Sequence, residues 1–188
     1  MDITPFLDLR IAPRAVFDAL PERKSRVRFM VPTGSPGDWR SVTWGAFAAE
    51  IRELSLFLLT VLKTGDRAAI YAPNRVEWAS AALAIQAAAG VMVPIYPAST
   101  PEQVGYVAGH SDAKVIFVDT PALLGRLFAA WDALGAVERI VVLDDAIDAA
   151  RVHESLAKKG GPVPPFHEVE RKVLTLSRAR AIGADKDR

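Results

Sequence analysis

The 188-residue chain contains no cysteine, which excludes disulfide bonds and cysteine-ligated metals. It also has almost no excess charge of either sign. Lys and Arg total 23 against 22 Asp and Glu, for a formal net charge of +1. A general nucleic-acid surface needs a basic excess to displace counterions from phosphate, so no nucleic-acid partner is expected. No long apolar run is present. The stretch 79–95 is interrupted by Gln86, Gly90 and Pro94 and falls short of the roughly 20 residues that a membrane span needs. It reads instead as a buried helix running into a buried strand. The first ten residues carry acids at Asp2 and Asp8 and no basic segment leading into an apolar one, so no targeting leader is expected. The lack of cysteine suits a cytoplasmic location, which is the expectation here, with a membrane-peripheral placement left open.

What is present is apolar and rhythmic. The hydrophobic fraction of 51% is enough to fill a core. Across 65–119, short apolar runs alternate with longer segments of helical period, which implies a parallel sheet wrapped by helices. The expected class is therefore α/β, a mainly parallel sheet with helices on both faces plus a short N-terminal β-hairpin. Residues 1–160 read as one α/β unit, and 161–188 as a linker and a charged C-terminal helix or tail.

In chain order, 1–12 reads as an irregular lead-in, and Pro13–Leu20 as a short helix ended by Pro21. Strands are expected at Arg26–Val31 and Trp39–Thr43, joined through the turn formers between Pro32 and Asp38. Thr33-Gly34-Ser35 lacks a lysine and leads into a strand, so it reads as a surface turn rather than a phosphate loop. Thr43 is placed to cap a helix whose buried face is Phe47, Ile51, Leu54, Leu58 and Leu62, with Gly65 stopping it. Strands at Arg67–Tyr71, Val91–Tyr96, Lys114–Val118 and Glu138–Leu143 alternate with helices. These are expected to be capped by Asn74, by Thr100 with Pro101 and Gln103, and by Thr120 with Pro121. Gly90 is expected to end the first of them. A weaker helix is expected over Asp144–Leu156, then a linker from Lys159 to Pro165, a helix over Val169–Ile182 and a frayed end.

The order of residues between Thr43 and Asp119 resembles the N-terminal region of the AMP-forming acyl-CoA synthetases, nearest to their long-chain fatty-acid branch. The residues that carry the resemblance are Thr43-Trp44, Gly65-Asp66-Arg67, Asn74 with Glu77-Trp78, Gly90 with Pro94 and Tyr96, Pro101-Glu102-Gln103 with Tyr106, and His110-Ser111 with Ala113-Lys114. The chain departs from the family at Phe57 and Val61, where smaller residues are usual. The phosphate-cradling Thr-Ser-Gly-Thr-Thr-Gly loop, the ribose-binding Asp and the catalytic Lys of the family have no counterpart in these residues. The resemblance thus implies an N-terminal piece of a fatty-acid–CoA ligase, a scaffold and cleft wall without catalytic residues of its own. It also implies ATP, Mg²⁺ and CoA as reactants of the full enzyme, fatty acid as substrate, and the remaining ligase domains as partner. Homodimerisation is left open.

Two other readings are a non-catalytic module reusing the fold and a flavodoxin-like nucleotide-binding domain. The latter wants a glycine loop after its first strand, where this chain has Ala72-Pro73-Asn74-Arg75. His110, His153 and His167 lack metal-ligand spacing and read as structural. Glu77 reads as a first-turn acid and Trp78 as core or groove lining. Lys158-Lys159-Gly160-Gly161 reads as linker. Arg126 has two readings. Resemblance to acetyl-CoA-type relatives implies a contact with the nucleotide end of CoA, with Leu123 in place of a companion Arg; the other reading is a solvent-facing side chain.

Overall fold

The computed structural model describes residues 11–187. The first ten residues of the expected lead-in lie outside that range. Seven strands are described: β1 (Val27–Pro32), β2 (Trp39–Thr43), β3 (Arg67–Tyr71), β4 (Val91–Ile95), β5 (Val115–Val118), β6 (Arg139–Val142) and β7 (Val173–Thr175). The helices are α1 (Ala12–Asp18), α2 (Leu20–Arg23), α3 (Trp44–Leu58), α4 (Val76–Ala87), α5 (Pro101–His110), α6 (Pro121–Ala129), α7 (Ala149–Lys158), α8 (Phe166–Lys172) and α9 (Leu176–Lys186).

Strands β1 and β2 form the expected antiparallel hairpin. The other five make a wholly parallel sheet in the order β4-β3-β5-β6-β7. Its central strands are apolar on both sides because both sides are covered. Ala68, Ile70, Val115 and Phe117 pack with α3, α4 and α9. Ala69, Tyr71, Ile116 and Val118 face the other way, onto α5 and α6. A third cluster joins the hairpin, α1 and the N-terminal half of α3 through Phe47, Ala48 and Ile51. Thr43, Thr100 and Thr120 cap their helices as expected, Thr100 and Gln103 forming a full capping box.

Several local expectations are corrected. Pro21 lies in the first turn of α2 instead of ending a helix. Helix α3 stops at Leu58, one turn early. Leu62 is buried all the same, and Gly65 (φ +83) occupies a turn whose N–H donates to the Ala89 carbonyl. Arg75, not Asn74, sits at the N-cap of α4, and no side chain caps it. The C-terminus of α4 closes with Ala89 in the left-handed region (φ +56). The Gly90 and Ala89 N–H groups bond back to Ile85 and Gln86, the Schellman pattern. Gly90 is needed there for space, since a Cβ would stand 3.1–3.2 Å from Leu62 and Ile85. Helix α7 begins only at Ala149, where Asp148 caps it.

The largest correction is at the C-terminal end. The single helix expected over Val169–Ile182 is α8, strand β7 and α9 in succession, and the helix continues through Gly183 to Lys186. Val173 to Thr175 turn extended because they pair with β6. Helix α9 then crosses to the opposite face and packs on α3. Gly183 lets the two backbones meet, since a Cβ there would stand 1.8 Å from the Glu53 carbonyl oxygen.

Candidate functional site

The chain reverses its winding at β3. Helix α4, which follows β3, covers one face of the sheet, and α6, which follows the neighbouring β5, covers the other. The order β4-β3-β5-β6-β7 is that of doubly wound flavodoxin-like sheets, in which a crevice opens between the two strands where the winding reverses. Here that crevice is bounded by Ala72 to Arg75 after β3 and by Asp119 and Thr120 after β5.

The crevice is filled by charge pairs. Arg75 donates through Nη1 to buried Asp119 and through Nε to Glu77 Oε2 at 2.7 Å. Arg40 of the hairpin stands 3.7 Å from Glu77 Oε1. Burial alone would lower the Arg75 pKa, but Glu77 and Asp119 reverse that and hold it above the ordinary arginine value. Two arginines thus meet two carboxylates, and the Arg75 fork is occupied on both sides. This is a strut across the crevice rather than an anion receptor. Glu77 is more than a first-turn acid, because it joins α4 to the hairpin. Trp78 is partly buried against the core, as expected.

A second cluster lies under the loop between β4 and α5. Arg126, from the second turn of α6, turns inward. Its Nη1 donates to the carbonyls of Pro97 (3.0 Å) and Ser99 (3.1 Å) and to the Tyr71 hydroxyl (3.3 Å). Tyr71 donates in turn to Ser99 O at 2.9 Å. The solvent-facing reading of Arg126 is therefore corrected: it pins the loop that carries Tyr96. Beside it, a groove of about 660 Å³ runs between α6 and α7. Its lining includes Ala122, Gly125, Val152 and Leu156, with Arg126 and Lys159 as basic groups and Arg151 paired with Asp148 at 3.3 Å.

The remaining candidates stay apart. His110 stacks on Tyr106 at 5.5 Å on their shared helix face. The His153 ring lies 2.8 Å from the Pro164 carbonyl through Nε2, and His167 is 3.7 Å from Glu168. Among the described residues no group of three or more His, Asp or Glu side chains is placed to hold a metal. Lys158 pairs with Glu154 at 2.7 Å, and Thr33 closes the hairpin turn on Asp38.

A third polar cluster had no signal in the sequence. Ser80 of α4 donates to Glu50 of α3, and Arg180 of α9 reaches Glu50 (3.2 Å) and Glu53 (2.6 Å). Burial pushes the Glu50 carboxyl above its ordinary range, against the opposing pull of the Ser80 hydroxyl and of Arg180. Its members are 30 and 130 residues apart, so no spacing rule joins them.

The family described as AMP-binding enzyme matches residues 17–176. The long-chain-fatty-acid–CoA ligase FadD15 of Mycobacterium bovis is 34% identical over 136 residues, covering 64% of this chain and 23% of the relative. The 4-hydroxybutyrate–CoA ligase 2 of Metallosphaera sedula is 30% identical over 123 residues, covering 59% and 22%. The chain thus spans less than a quarter of the length of these relatives. Among solved structures, the A-PCP didomain of carboxylic acid reductase from Segniliparus rugosus superposes with a TM-score of 0.68. It is 18% identical, with 94% of this chain and 27% of that one covered. At that identity the likeness is one of fold.

Proposed function

Because the chain belongs to the AMP-binding enzyme family, we propose that it is the N-terminal scaffold of a fatty-acid–CoA ligase. In the full reaction a fatty-acid carboxylate attacks ATP with release of pyrophosphate. The CoA thiol then displaces AMP from the acyl-adenylate. At the C-terminal edge of the sheet Arg75 engages Glu77 and Asp119, and Tyr71 and Arg126 engage the loop after β4, which supports a structural wall rather than a reaction centre. The observation that carries this reading is the Arg75 strut, which occupies the crevice with two carboxylates. Holding a polyphosphate calls for donors aimed at the phosphates and Mg²⁺ to neutralise them. We assign no Mg²⁺ site to this region.

The test is pyrophosphate release from ATP and a fatty acid. The 188-residue chain is expected to match a no-protein control, and turnover clearly above that control in ligase-free material would overturn the scaffold reading.

Within the same reading, Arg126 contacts a phosphate at the nucleotide end of CoA. The groove beside it supports this, because Lys159 adds positive charge to the same lining beyond the Arg151–Asp148 pair. Nη1 is engaged by the loop, so the phosphate contact falls to the rest of the fork. In a ligase containing this region, Arg126→Ala is expected to raise the KM for CoA about tenfold, the worth of one partly exposed charged hydrogen bond, with adenylation intact. Equal losses in both half-reactions would restrict Arg126 to pinning the loop.

A further inference from the structure

Among the described residues no helix covers the outer face of the β1–β2 hairpin. The register places Val27 opposite Thr43, Met30 opposite Ser41 and Pro32 opposite Trp39, with an irregularity between Val27 and Phe29. Thr43, Ser41 and Trp39 alternate along β2, so their partners Val27, Met30 and Pro32 share one face despite their uneven spacing. The irregularity is what brings Val27 to that side. Phe29, Val31 and Val42 face the other way, into the cluster around Phe47. Val27, Met30 and Trp39 are 52%, 55% and 53% exposed, so this face is an apolar strip open to solvent.

Positive charge gathers at one end of the strip, the foot of β1, while Arg14 pairs with Asp18 and Arg40 with Glu77. Between residues 11 and 43 the chain carries six basic side chains and three acidic ones, although its overall charge is only +1. Arg23, Lys24, Arg26 and Arg28 follow one another at the base of β1 and all are exposed. The Arg23 and Arg28 guanidinium groups lie over the Trp44 ring, towards the inner cluster, so the charge free to meet an outside surface at the foot of β1 is that of Lys24 and Arg26.

We propose that this hairpin face docks on an anionic lipid bilayer, with Met30 and Trp39 entering the headgroup region and the bases at the foot of β1 meeting lipid phosphates. Stable peripheral attachment takes two signals, an apolar contact and a basic patch, and both are present on one small element. Tryptophan suits such an interface because its ring is apolar and its N–H remains wet. The proposal stands apart from the ligase reading, since the face lies away from the crevice and needs no catalytic activity.

The test is co-sedimentation of the 188-residue chain with phosphatidylcholine vesicles, with and without phosphatidylglycerol. Binding is expected only with the anionic lipid and should weaken as salt rises. The double variant Met30→Ser, Trp39→Ser should lower partitioning by about tenfold or more. Lys24→Glu with Arg26→Glu should abolish the preference for anionic lipid. All four positions are exposed, and circular dichroism establishes that each variant is folded. Failure of the wild-type chain to bind phosphatidylglycerol vesicles, or binding indifferent to the Met30/Trp39 variant, would overturn the proposal. So would concentration-dependent self-association removed by that variant in the absence of vesicle binding, which would make the face a protein interface.

Discussion

Replacing Gly183 by alanine is expected to destabilise the protein by about 3 kcal/mol, at the upper end of overpacking effects. The added Cβ would stand 1.8 Å from the Glu53 carbonyl oxygen and 3.0 Å from the Phe57 nitrogen. Both are backbone atoms of α3, so no side chain can rotate aside. Helix α9 must shift bodily, and the shift strains the Arg180 contacts with Glu50 and Glu53. It also disturbs the burial of Leu176 and Ala179 in the core cluster. The sign of the result makes the test sharp. At an exposed helical position the same change stabilises by about 1 kcal/mol, because alanine is the better helix former. A urea midpoint that falls with an unchanged slope supports the close α3–α9 contact. A midpoint that rises would show that α9 does not dock at Gly183.

Asp119→Ala is expected to cost about 2–3 kcal/mol, somewhat less than the loss on breaking a fully buried ion pair. The discount reflects Arg75, whose side chain keeps 30% of its surface in water while that of Asp119 keeps 10%. The variant removes one of the two carboxylates on the Arg75 fork and leaves Glu77 as its remaining partner. Because the strut ties the ends of β3 and β5, the loss should be accompanied by faster hydrogen exchange at Ala72 and Thr120. Changing both partners, Arg75→Met with Asp119→Leu, should recover part of the stability, since an apolar pair of similar volume fills the Arg75–Asp119 site and Glu77 keeps Arg40 as its remaining partner. A double variant no more stable than Asp119→Ala would mean that the pair supplies geometry that apolar packing cannot replace.

Much of the architecture was legible in the residues themselves. Strands β5 and β6 announce themselves as short β-branched runs and β3 as an apolar one because all three are central and buried on both sides, whereas β4, read as a buried strand, lies at the sheet edge with Val91 and Pro94 exposed. Thr43, Thr100 and Thr120 mark helix starts because a cap is a contact made within three residues. The ordered motifs between Thr43 and Asp119 likewise pointed to the family that matches residues 17–176.

What the sequence could not contain is anything made by residues distant along the chain. Strand β7 was hidden inside a helical pattern because its extended form comes from pairing with β6, not from Val173-Leu174-Thr175 alone. Arg126 turned inward because Pro97, Ser99 and Tyr71 lie beneath it, and no periodicity reports a carbonyl 27 or 29 residues away. Arg75 and Asp119, 44 residues apart, become partners only when β3 and β5 lie side by side. Local propensity, capping and apolar period are properties of neighbouring residues, and these the sequence determined. Strand order, the closed crevice and the Gly183 contact depend on which surfaces meet, and only the tertiary structure decided them.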